Sequence, residues 1–212
     1  MAKRQPGRWK PFVAGFGTAI VLIAAAGVGL VLTIAWRGVS ARMEPSGVEA
    51  FLARRLRHLA IPADARESSN PLPAGPDVVR AGMEHFADHC ATCHANDGSG
   101  QTAIGQGLYP KAPDMRLEAT QSLSDGELFY IIENGVRLTG MPAWGSGDPA
   151  GARDSWGLVA FIRHLPNLTP EDLAAMETLN PKSAAERERE KAIEEFLKTE
   201  RTMAPAGTAG RH

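Results

Sequence analysis

The longest apolar segment of the chain, FVAGFGTAIVLIAAAGVGLVLTIAW at residues 12–36, has no charged side chain. About 20 apolar residues span the roughly 30 Å hydrocarbon layer of a bilayer, so the pattern predicts a transmembrane helix. Trp9 and Trp36 flank it, where aromatic residues meet lipid headgroups. A cleaved signal peptide is the alternative, because MAKRQPGRWK is basic and VSA at residues 39–41 is a possible cleavage site. Apolar cores of signal peptides have about 7 to 15 residues, which favours an uncleaved anchor.

The basic residues around this segment predict its orientation. More of them precede it closely than follow it closely (Lys3, Arg4, Arg8 and Lys10 against Arg37 and Arg42). Because positive charge is retained in the cytoplasm, residues 1–11 are predicted to be a cytoplasmic N-terminus. Further arginines at positions 54, 55 and 57 weaken that bias.

Residues 37–75 are predicted to form an amphipathic helix and a proline-rich linker. In SGVEAFLARRLRHLAIP, Ser46 and Glu49 have the spacing of a capping box, and apolar residues recur at helical intervals. We expect this helix to pack on the soluble domain; a helix lying on anionic lipid is the alternative. The following IPADARESSNPLPAGP is polar with four prolines, which predicts an extended linker.

The next region, residues 76–168, predicts a small helical domain. Helical patterns run over residues 77–89, 124–133 and 154–165, and no alternating segment of strand length occurs. The second of them begins at Ser124, spaced to form a cap with Glu127, and ends at the stop signal Asn134-Gly135. Two long loops rich in Gly and Pro lie between these helical patterns. The first is ANDGSGQTAIGQGLYPKAPDM at residues 95–115, and the second is GVRLTGMPAWGSGDPAG at residues 135–151. Such loops are uncommon in a compact domain without something inside to organise them. A large bound cofactor would supply the missing core.

Residues 169–202 are predicted to be a charged helical extension, with Thr169 and Ser183 as helix caps. Its last part, AAEREREKAIEEFLKTER, indicates a solvated helix with a narrow apolar stripe. A docking helix for a partner subunit is the alternative, because Ile193, Phe196 and Leu197 are spaced to form one patch. Residues 203–212 are predicted to be a disordered tail.

Composition adds little about partners for the whole chain. Its net charge of -1 gives no reason to expect a nucleic-acid partner. Between residues 71 and 167, however, eleven acidic residues stand against six Lys or Arg. This excess of negative charge favours docking to a partly basic protein.

Both cysteines of the chain lie in the five-residue sequence CATCH, Cys90 to His94. A thioredoxin-like redox pair would follow a strand, and none is predicted here. A zinc site could recruit His85 and His89 but would leave His94 unused. A disulfide across so short a loop would stabilise little. Cys-x-x-Cys-His is the attachment signal for c-type haem, and only this alternative gives the histidine and the long loops a purpose.

The chemistry explains the spacing. Two thiols on one helical turn can each add to a vinyl group of the porphyrin, and the following imidazole then reaches the iron. The motif therefore predicts one haem c, covalently bound through Cys90 and Cys93 with His94 as an axial ligand.

From about Pro76 to Leu165 the chain resembles class I monohaem cytochromes c of the membrane-anchored type. The resemblance rests on CATCH, on TGMPAW downstream and on the paired terminal helices. It implies a small all-α haem domain with long loops and does not extend to the anchor or the tail. Together with the N-terminal transmembrane helix predicted from the apolar segment, the expected fold is mainly α. The resemblance also implies a helix crossing formed by two pairs of residues, Gly82 and Phe86 with Leu158 and Phe161.

Met141 in TGMPAWG is the predicted second axial ligand, since Gly140 and Pro142 allow a close and stiff approach and the family has a methionine here. Met83 is expected to belong to the helical core, and Met115 is a weaker rival. The resemblance also implies that the carbonyl of Pro110 or Pro113 accepts a hydrogen bond from the proximal imidazole. Trp144 would either contact a haem propionate or pack on the ring.

A His/Met pair closes both axial positions, so we expect an electron carrier and not an enzyme. The predicted protein is tethered by residues 12–36 to lipid of the inner membrane, single-pass, with its haem domain in the periplasm, where covalent haem attachment occurs. Its partners would be redox proteins or respiratory complexes. A haem subunit fixed in a larger membrane oxidoreductase is the alternative. A sensor or peroxidase would need Met141 to dissociate, and the sequence offers no evident distal acid or base.

Overall fold

The structure is a computed structural model of the 212-residue chain and describes residues 9–182 and 184–203. It divides into two compact units, Met1–Met43 and Glu44–His212. The described residues contain helices and no strand, which confirms the mainly α fold. The predicted disordered tail, the residues before Trp9 and the predicted cap Ser183 lie outside the described residues, except that Met203 ends a helix.

The first unit contains one helix, α1 (Trp9–Arg37). Its stretch Phe12–Arg37 is 26 residues long, and the mean hydropathy of its most apolar 18 residues is 2.5. The hydroxyls of Thr18 and Thr33 donate to carbonyls four residues earlier in the same helix. No polar group of these side chains therefore needs an external partner, as hydrocarbon surroundings require. The helix fits a single-pass membrane anchor.

The second unit contains the remaining elements. In chain order its α-helices are α2 (Gly47–Ala60), α3 (Ala63–Glu67), α4 (Pro76–His85), α5 (Ala91–His94), α6 (Ala103–Gly107), α7 (Glu118–Gln121), α8 (Asp125–Asn134), α9 (Pro149–His164), α10 (Pro170–Leu179) and α11 (Ala184–Met203). A π-helical turn, Phe86–Cys90, joins α4 to α5, and a 3₁₀ turn, Leu165–Asn167, follows α9.

The core forms where α4 crosses α9. A Cβ on Gly82 would lie 2.1 Å from the carbonyl oxygen of Gly157, so only glycine allows the two backbones to approach this closely. Beside this crossing, the Phe86 and Phe161 rings pack with their centroids 5.0 Å apart. The predicted crossing is confirmed for Gly82, Phe86 and Phe161, while Gly157 provides the close backbone contact.

The first helix of the domain departs from prediction. The sequence pattern predicts a regular helix over residues 77–89, but α4 ends at His85 and the backbone widens into the π turn. π turns inside helices frequently lie at functional sites. This one leads directly to Cys90.

The helices α8 and α9 place the second long loop. Ser124 caps α8 in a reciprocal capping box with Glu127, and Gly135 ends the helix at φ 64°, as the sequence predicts. α9 begins earlier than expected, because Pro149 opens it and the Asp148 carboxylate accepts from the backbone N–H groups of Ala150 and Gly151. The loop that contains Met141 is therefore held between two capped helix ends.

The predicted extended linker after α2 is wrong over Ala63–Glu67, which forms α3. The Ser124 hydroxyl donates to the Arg66 carbonyl at 2.7 Å, so α3 is fixed to the start of α8. Ile61, between α2 and α3, is buried. The segment is therefore part of the domain surface and not a free spacer.

α2 also differs from expectation. Ser46 caps it by accepting from the N–H of Glu49, but the Glu49 carboxylate accepts from the Tyr109 hydroxyl, so the capping box is only half formed. No residue of α2 is buried, and its apolar side chains are exposed. The helix is held on the domain, as predicted, but through His58, which lies 2.8 Å from Glu127, and through the half-buried Ala50 and Arg57, and not through its apolar face.

At the other end, α10 extends the core beyond the predicted limit at residue 168. Thr169 and Asp172 form its capping box, and the Met176 side chain is fully buried in the core. α10 packs on the π turn and on α4. The compact domain thus includes this helix, and α11 follows it.

Candidate haem site

The two cysteines lie just beyond the end of α4, one in the π turn and one in α5. Cys90 closes the π turn, Cys93 lies in α5, and neither is in a disulfide. Burial raises the pKa of the Cys90 thiol to about 12, and the neighbouring Cys93 adds to this effect. Redox-exchange cysteines need an accessible thiolate, so this protonated thiol does not fit a thioredoxin-like role. It remains available for addition to a vinyl group.

His94 ends α5, and its Nδ1 atom is buried with no hydrogen bond of normal geometry. Burial lowers the pKa of His94, an effect that the nearby backbone carbonyl of Pro113 partly offsets. A neutral imidazole is the form that binds a metal. Of the two prolines proposed as partners for the ring, Pro113 is the one whose carbonyl lies close to it.

The backbone around the cysteine motif is held by the first long loop. The Thr102 hydroxyl donates to the carbonyl of Cys93 at 3.1 Å and accepts from the N–H of Gly105 at 2.8 Å. The N–H of Gly100 donates to the carbonyl of His94 at 2.8 Å. A Cβ on Gly105 would lie 2.2 Å from the Cys93 carbonyl oxygen. Loop and motif therefore meet backbone to backbone.

Immediately after the histidine the chain adopts a strained conformation. Ala95 has φ 60° and ψ 158°, a region occupied almost only by glycine. Its N–H donates to the Ala91 carbonyl and closes α5. Strain of this kind persists only where the surroundings impose it. Here it turns the chain away directly behind the predicted axial ligand.

Met141 lies in the second long loop and is half-buried. Its carbonyl accepts from the N–H of Val136 at 3.1 Å, and its own N–H donates to the Thr139 hydroxyl at 3.1 Å. The loop is joined to the end of α8 by the N–H groups of Trp144 and Gly145, which donate to the carbonyls of Ile132 and Glu133. These contacts hold the loop on the end of α8.

Two contacts join the loop that contains Met141 to segments on either side of the CATCH motif. The Trp144 ring meets the His89 ring edge-on, with centroids 5.7 Å apart. A Cβ on Gly140 would lie 2.6 Å from a methyl carbon of Leu108, which follows α6. Trp144 and Leu108 thus link the two loops, while Met141 itself is held by contacts within its own loop. Trp144 is 40% exposed, so it only partly fills a packing role.

The rival ligands are placed elsewhere. Met83 and Met115 are buried in the hydrophobic core, as expected for Met83. The His85 and His89 rings stack on each other with centroids 4.6 Å apart. Among the described residues, no group of three or more His, Cys, Asp or Glu side chains is arranged to hold a metal ion.

The residues present fit a covalently bound haem. Two unpaired thiols, the imidazole of His94 and a half-buried methionine in the second long loop would supply both attachment points and both axial ligands. Cys90 and Cys93 would hold the porphyrin, and His94 and Met141 would bind the iron.

Sequence reasoning missed the residues that support the motif. Thr102 and Gly105 have the spacing of a helix cap followed by a small residue, which could have indicated a short helix but not its contact with Cys93. The π turn and the strained Ala95 have no recognisable pattern. Their positions depend on the crossing of α4 and α9.

Comparison with known families agrees with this geometry. Residues 77–162, less than half of the chain, match the family described as "Cytochrome C oxidase, cbb3-type, subunit III". No curated protein matches the chain. The matched segment begins in α4 and ends in α9, so it includes the cysteine motif, both long loops and the helix crossing. This part of the chain is a c-type cytochrome domain.

Proposed function

We propose that the protein is a membrane-tethered electron carrier with one haem c, bound covalently by Cys90 and Cys93 and ligated by His94 and Met141. The observation that carries the proposal is the CATCH turn, with two free thiols and a partly buried imidazole inside a c-type cytochrome domain. The apolar helix α1 supplies the tether. The haem domain would face the periplasm, with the basic N-terminus in the cytoplasm.

Haem iron with two protein side chains as axial ligands exchanges electrons and has no open position for substrate. The protein's contribution is to orient His94 and Met141. The thioether of Met141 favours the ferrous state and so raises the reduction potential relative to a second histidine. A tether then keeps the domain at high local concentration near membrane partners.

A second candidate, a fixed haem subunit of a membrane oxidoreductase, is favoured by one finding. The description of the matching family names an oxidase subunit. Purification from membranes in mild detergent distinguishes the two. A carrier elutes alone, whereas a subunit elutes with a stoichiometric partner.

The first test is an optical spectrum of the haem-loaded full chain, oxidised and then reduced with and without carbon monoxide. We expect a ferric methionine-to-iron charge-transfer band and no response to carbon monoxide. Ready binding of carbon monoxide would instead show an open sixth position and would contradict the carrier.

The assignment of Met141 is tested with a matched pair of variants. Met141→Leu removes the sulfur, so the charge-transfer band should disappear and the potential should fall by something on the order of 100 mV, within the roughly 0.8 V that axial ligands set. Met115→Leu replaces a buried core methionine and should change neither. If instead Met115→Leu abolishes the band, the ligand assignment is wrong.

A further inference from the structure

The two sides of α2 have opposite character, although the helix is fixed to the haem domain. One side faces the domain: Ala50 and Arg57 are half-buried, and Ile61 directly after the helix is buried. These positions are seven and four residues apart, which places them on one face.

Polar contacts fix this side. His58 Nδ1 lies 2.8 Å from Glu127 Oε1 on α8, and its Nε2 lies 3.1 Å from the Arg66 guanidinium on α3. At the other end, Glu49 accepts from the Tyr109 hydroxyl, and Glu44, just before the helix, pairs with Lys111. The orientation of α2 about its own axis is therefore set by the domain.

The opposite side is an exposed apolar stripe. Its members lie at helical spacing and are all at least half exposed: Val48 71%, Phe51 52%, Leu52 52%, Leu56 64% and Leu59 74%. Nothing in the described part of the domain covers them. Five large apolar side chains on one helix face exceed the isolated exposed residues that protein surfaces ordinarily carry.

The charges around the stripe are positive. Arg54 and Arg55 are exposed, and the Arg55 guanidinium lies over the Phe51 ring, 5.4 Å from its centroid. The acidic side chains of this segment, Glu44 and Glu49, are both engaged by the domain. An apolar stripe bordered by exposed arginines complements anionic lipid headgroups.

The connection to α1 is short. Residues 38–46 separate Arg37 from Gly47, and nine residues span at most about 30 Å even when fully extended. If α1 crosses the bilayer, α2 starts within that distance of the headgroups. The covalent connection thus favours lipid over any partner that must diffuse to the stripe.

We propose that α2 lies in the plane of the membrane interface and binds anionic lipid through this stripe. This inference rests on the tether in the proposed function. Because α2 is fixed to α8, to α3 and to the loop of Tyr109 and Lys111, binding sets the orientation of the haem domain on the membrane.

The test uses the haem-loaded full chain, one copy per lipid nanodisc, made from phosphatidylcholine alone or mixed with phosphatidylglycerol. The chain has two cysteines and both would carry haem, so Leu52→Cys introduces one free thiol for a nitroxide label. Ala53→Cys, exposed but turned about 100° away, is the matched control. Accessibility to oxygen and to a nickel chelate reports lipid and water contact respectively.

We expect the label at position 52 to be shielded from nickel in anionic discs, and the label at position 53 to remain accessible. Adding Arg54→Gln or Arg55→Gln should lower the ratio of shielded to accessible label about fivefold for each arginine. Labels that are equally accessible at both positions overturn the proposal. Shielding that requires two copies per disc overturns it in favour of a contact between copies.

Failure of the tether is seen separately. Haem absorbance that does not co-elute with the discs contradicts the membrane anchor and, with it, this inference. Co-elution with an accessible label at position 52 contradicts only the lipid contact of α2.

Discussion

The two loops that face each other in the haem domain are supported in different ways. On the histidine side, Gly105 lies against the backbone of Cys93, and Thr102 and Gly100 bond to the carbonyls of Cys93 and His94. On the methionine side, Gly135 at the end of α8 lies against the backbone of Met141 and Pro142, whereas Gly140, next to Met141, meets only the tip of the Leu108 side chain. Backbone contacts cannot yield without moving the chain, whereas a side-chain tip can rotate. The attachment half is therefore fixed by backbone contacts to the first loop, whereas the methionine loop is fixed on α8 and is adaptable at Gly140, where it meets the first loop.

This difference suits an electron carrier. The proximal half must keep thiols and imidazole in one geometry while haem is attached. In the proposed site, Met141 would supply a single ligand to the iron, and its loop can adjust at Gly140, where it meets the Leu108 side chain. Variants on the two sides should therefore differ in both the kind and the size of their effect.

The largest contrast concerns haem attachment. Replacing both cysteines, Cys90→Ser with Cys93→Ser, should abolish covalent haem, because serine hydroxyls do not form the thioether links. Haem staining after a denaturing gel measures this. Met141→Leu is the distal control and should retain full staining. Staining that survives in the double serine variant would contradict attachment at CATCH.

The next contrast uses glycines. Gly105→Ala forces a Cβ against the Cys93 carbonyl and should lower the free energy of unfolding of the haem-loaded protein by about 2 to 3 kcal/mol. In Gly140→Ala the added Cβ meets the movable side chain of Leu108, so the free energy of unfolding should fall by less than about 1 kcal/mol.

Denaturant unfolding measures both glycine variants. The matched control is Gly107→Ala, in the same helix as Gly105 but with no atom within 4 Å of the added Cβ. Equal losses at positions 105 and 140 would show that the two halves do not differ in rigidity.

Acid should weaken α8, which carries the methionine loop at its far end. Burial raises the pKa of Glu127, but hydrogen bonds from the Ser124 N–H and from His58, together with the charges of His58 and Arg57, outweigh it and hold the pKa below its ordinary value. A lowered pKa in the folded state stabilises the protein above the ordinary carboxyl pKa and ceases to do so as pH falls through the folded value.

Glu127→Gln should accordingly lower the free energy of unfolding by about 1 to 2 kcal/mol at neutral pH. The variant should also lose less stability than the wild type as the pH falls. Denaturant midpoints of wild type and variant, compared between about pH 3 and 6, give the measurement. Glu118→Gln, at an exposed position, is the control. A variant that is as acid-sensitive as the wild type would contradict this role of Glu127.

The smallest effect is expected for Ser155→Ala. The Ser155 hydroxyl donates to Glu133 Oε1 at 2.5 Å, and Glu133 also holds the methionine loop through its carbonyl and Gly145. Loss of the hydrogen bond from Ser155 to Glu133 should lower the free energy of unfolding by about 1 kcal/mol. The charge-transfer band should then disappear at lower denaturant than global unfolding does. Ser122→Ala is the control outside this contact, and coincident transitions in both variants would contradict a local effect.

The sequence predicts the parts of this molecule that depend on local pattern. The apolar run of α1, the capping box at Ser124 and the glycine after Asn134 each reflect the physics of one segment, and the structure has them as expected. The cysteine motif is recognisable because haem attachment fixes its spacing.

The features that sequence reasoning missed depend on contacts between distant segments. Whether the stripe on α2 faces the domain depends on His58 and Glu127, which are 69 residues apart. Met176 lies in the core because α10 meets the π turn, and hydrophobic pattern alone could not show where that helix packs. Helical periodicity predicts that a face exists, and only the tertiary contacts determine what it meets.

The π turn has a consequence for how the cysteine motif can change over evolution. Deleting one residue between Phe86 and Cys90 would leave CATCH intact as a string of letters, yet each residue removed from a helix rotates the downstream part of that helix by about 100°. Both thiols would then face a different direction while the crossing of α4 and α9 stayed in place. A motif search would still accept such a gene, but in its product both cysteine side chains would be rotated away from their present direction relative to the crossing of α4 and α9.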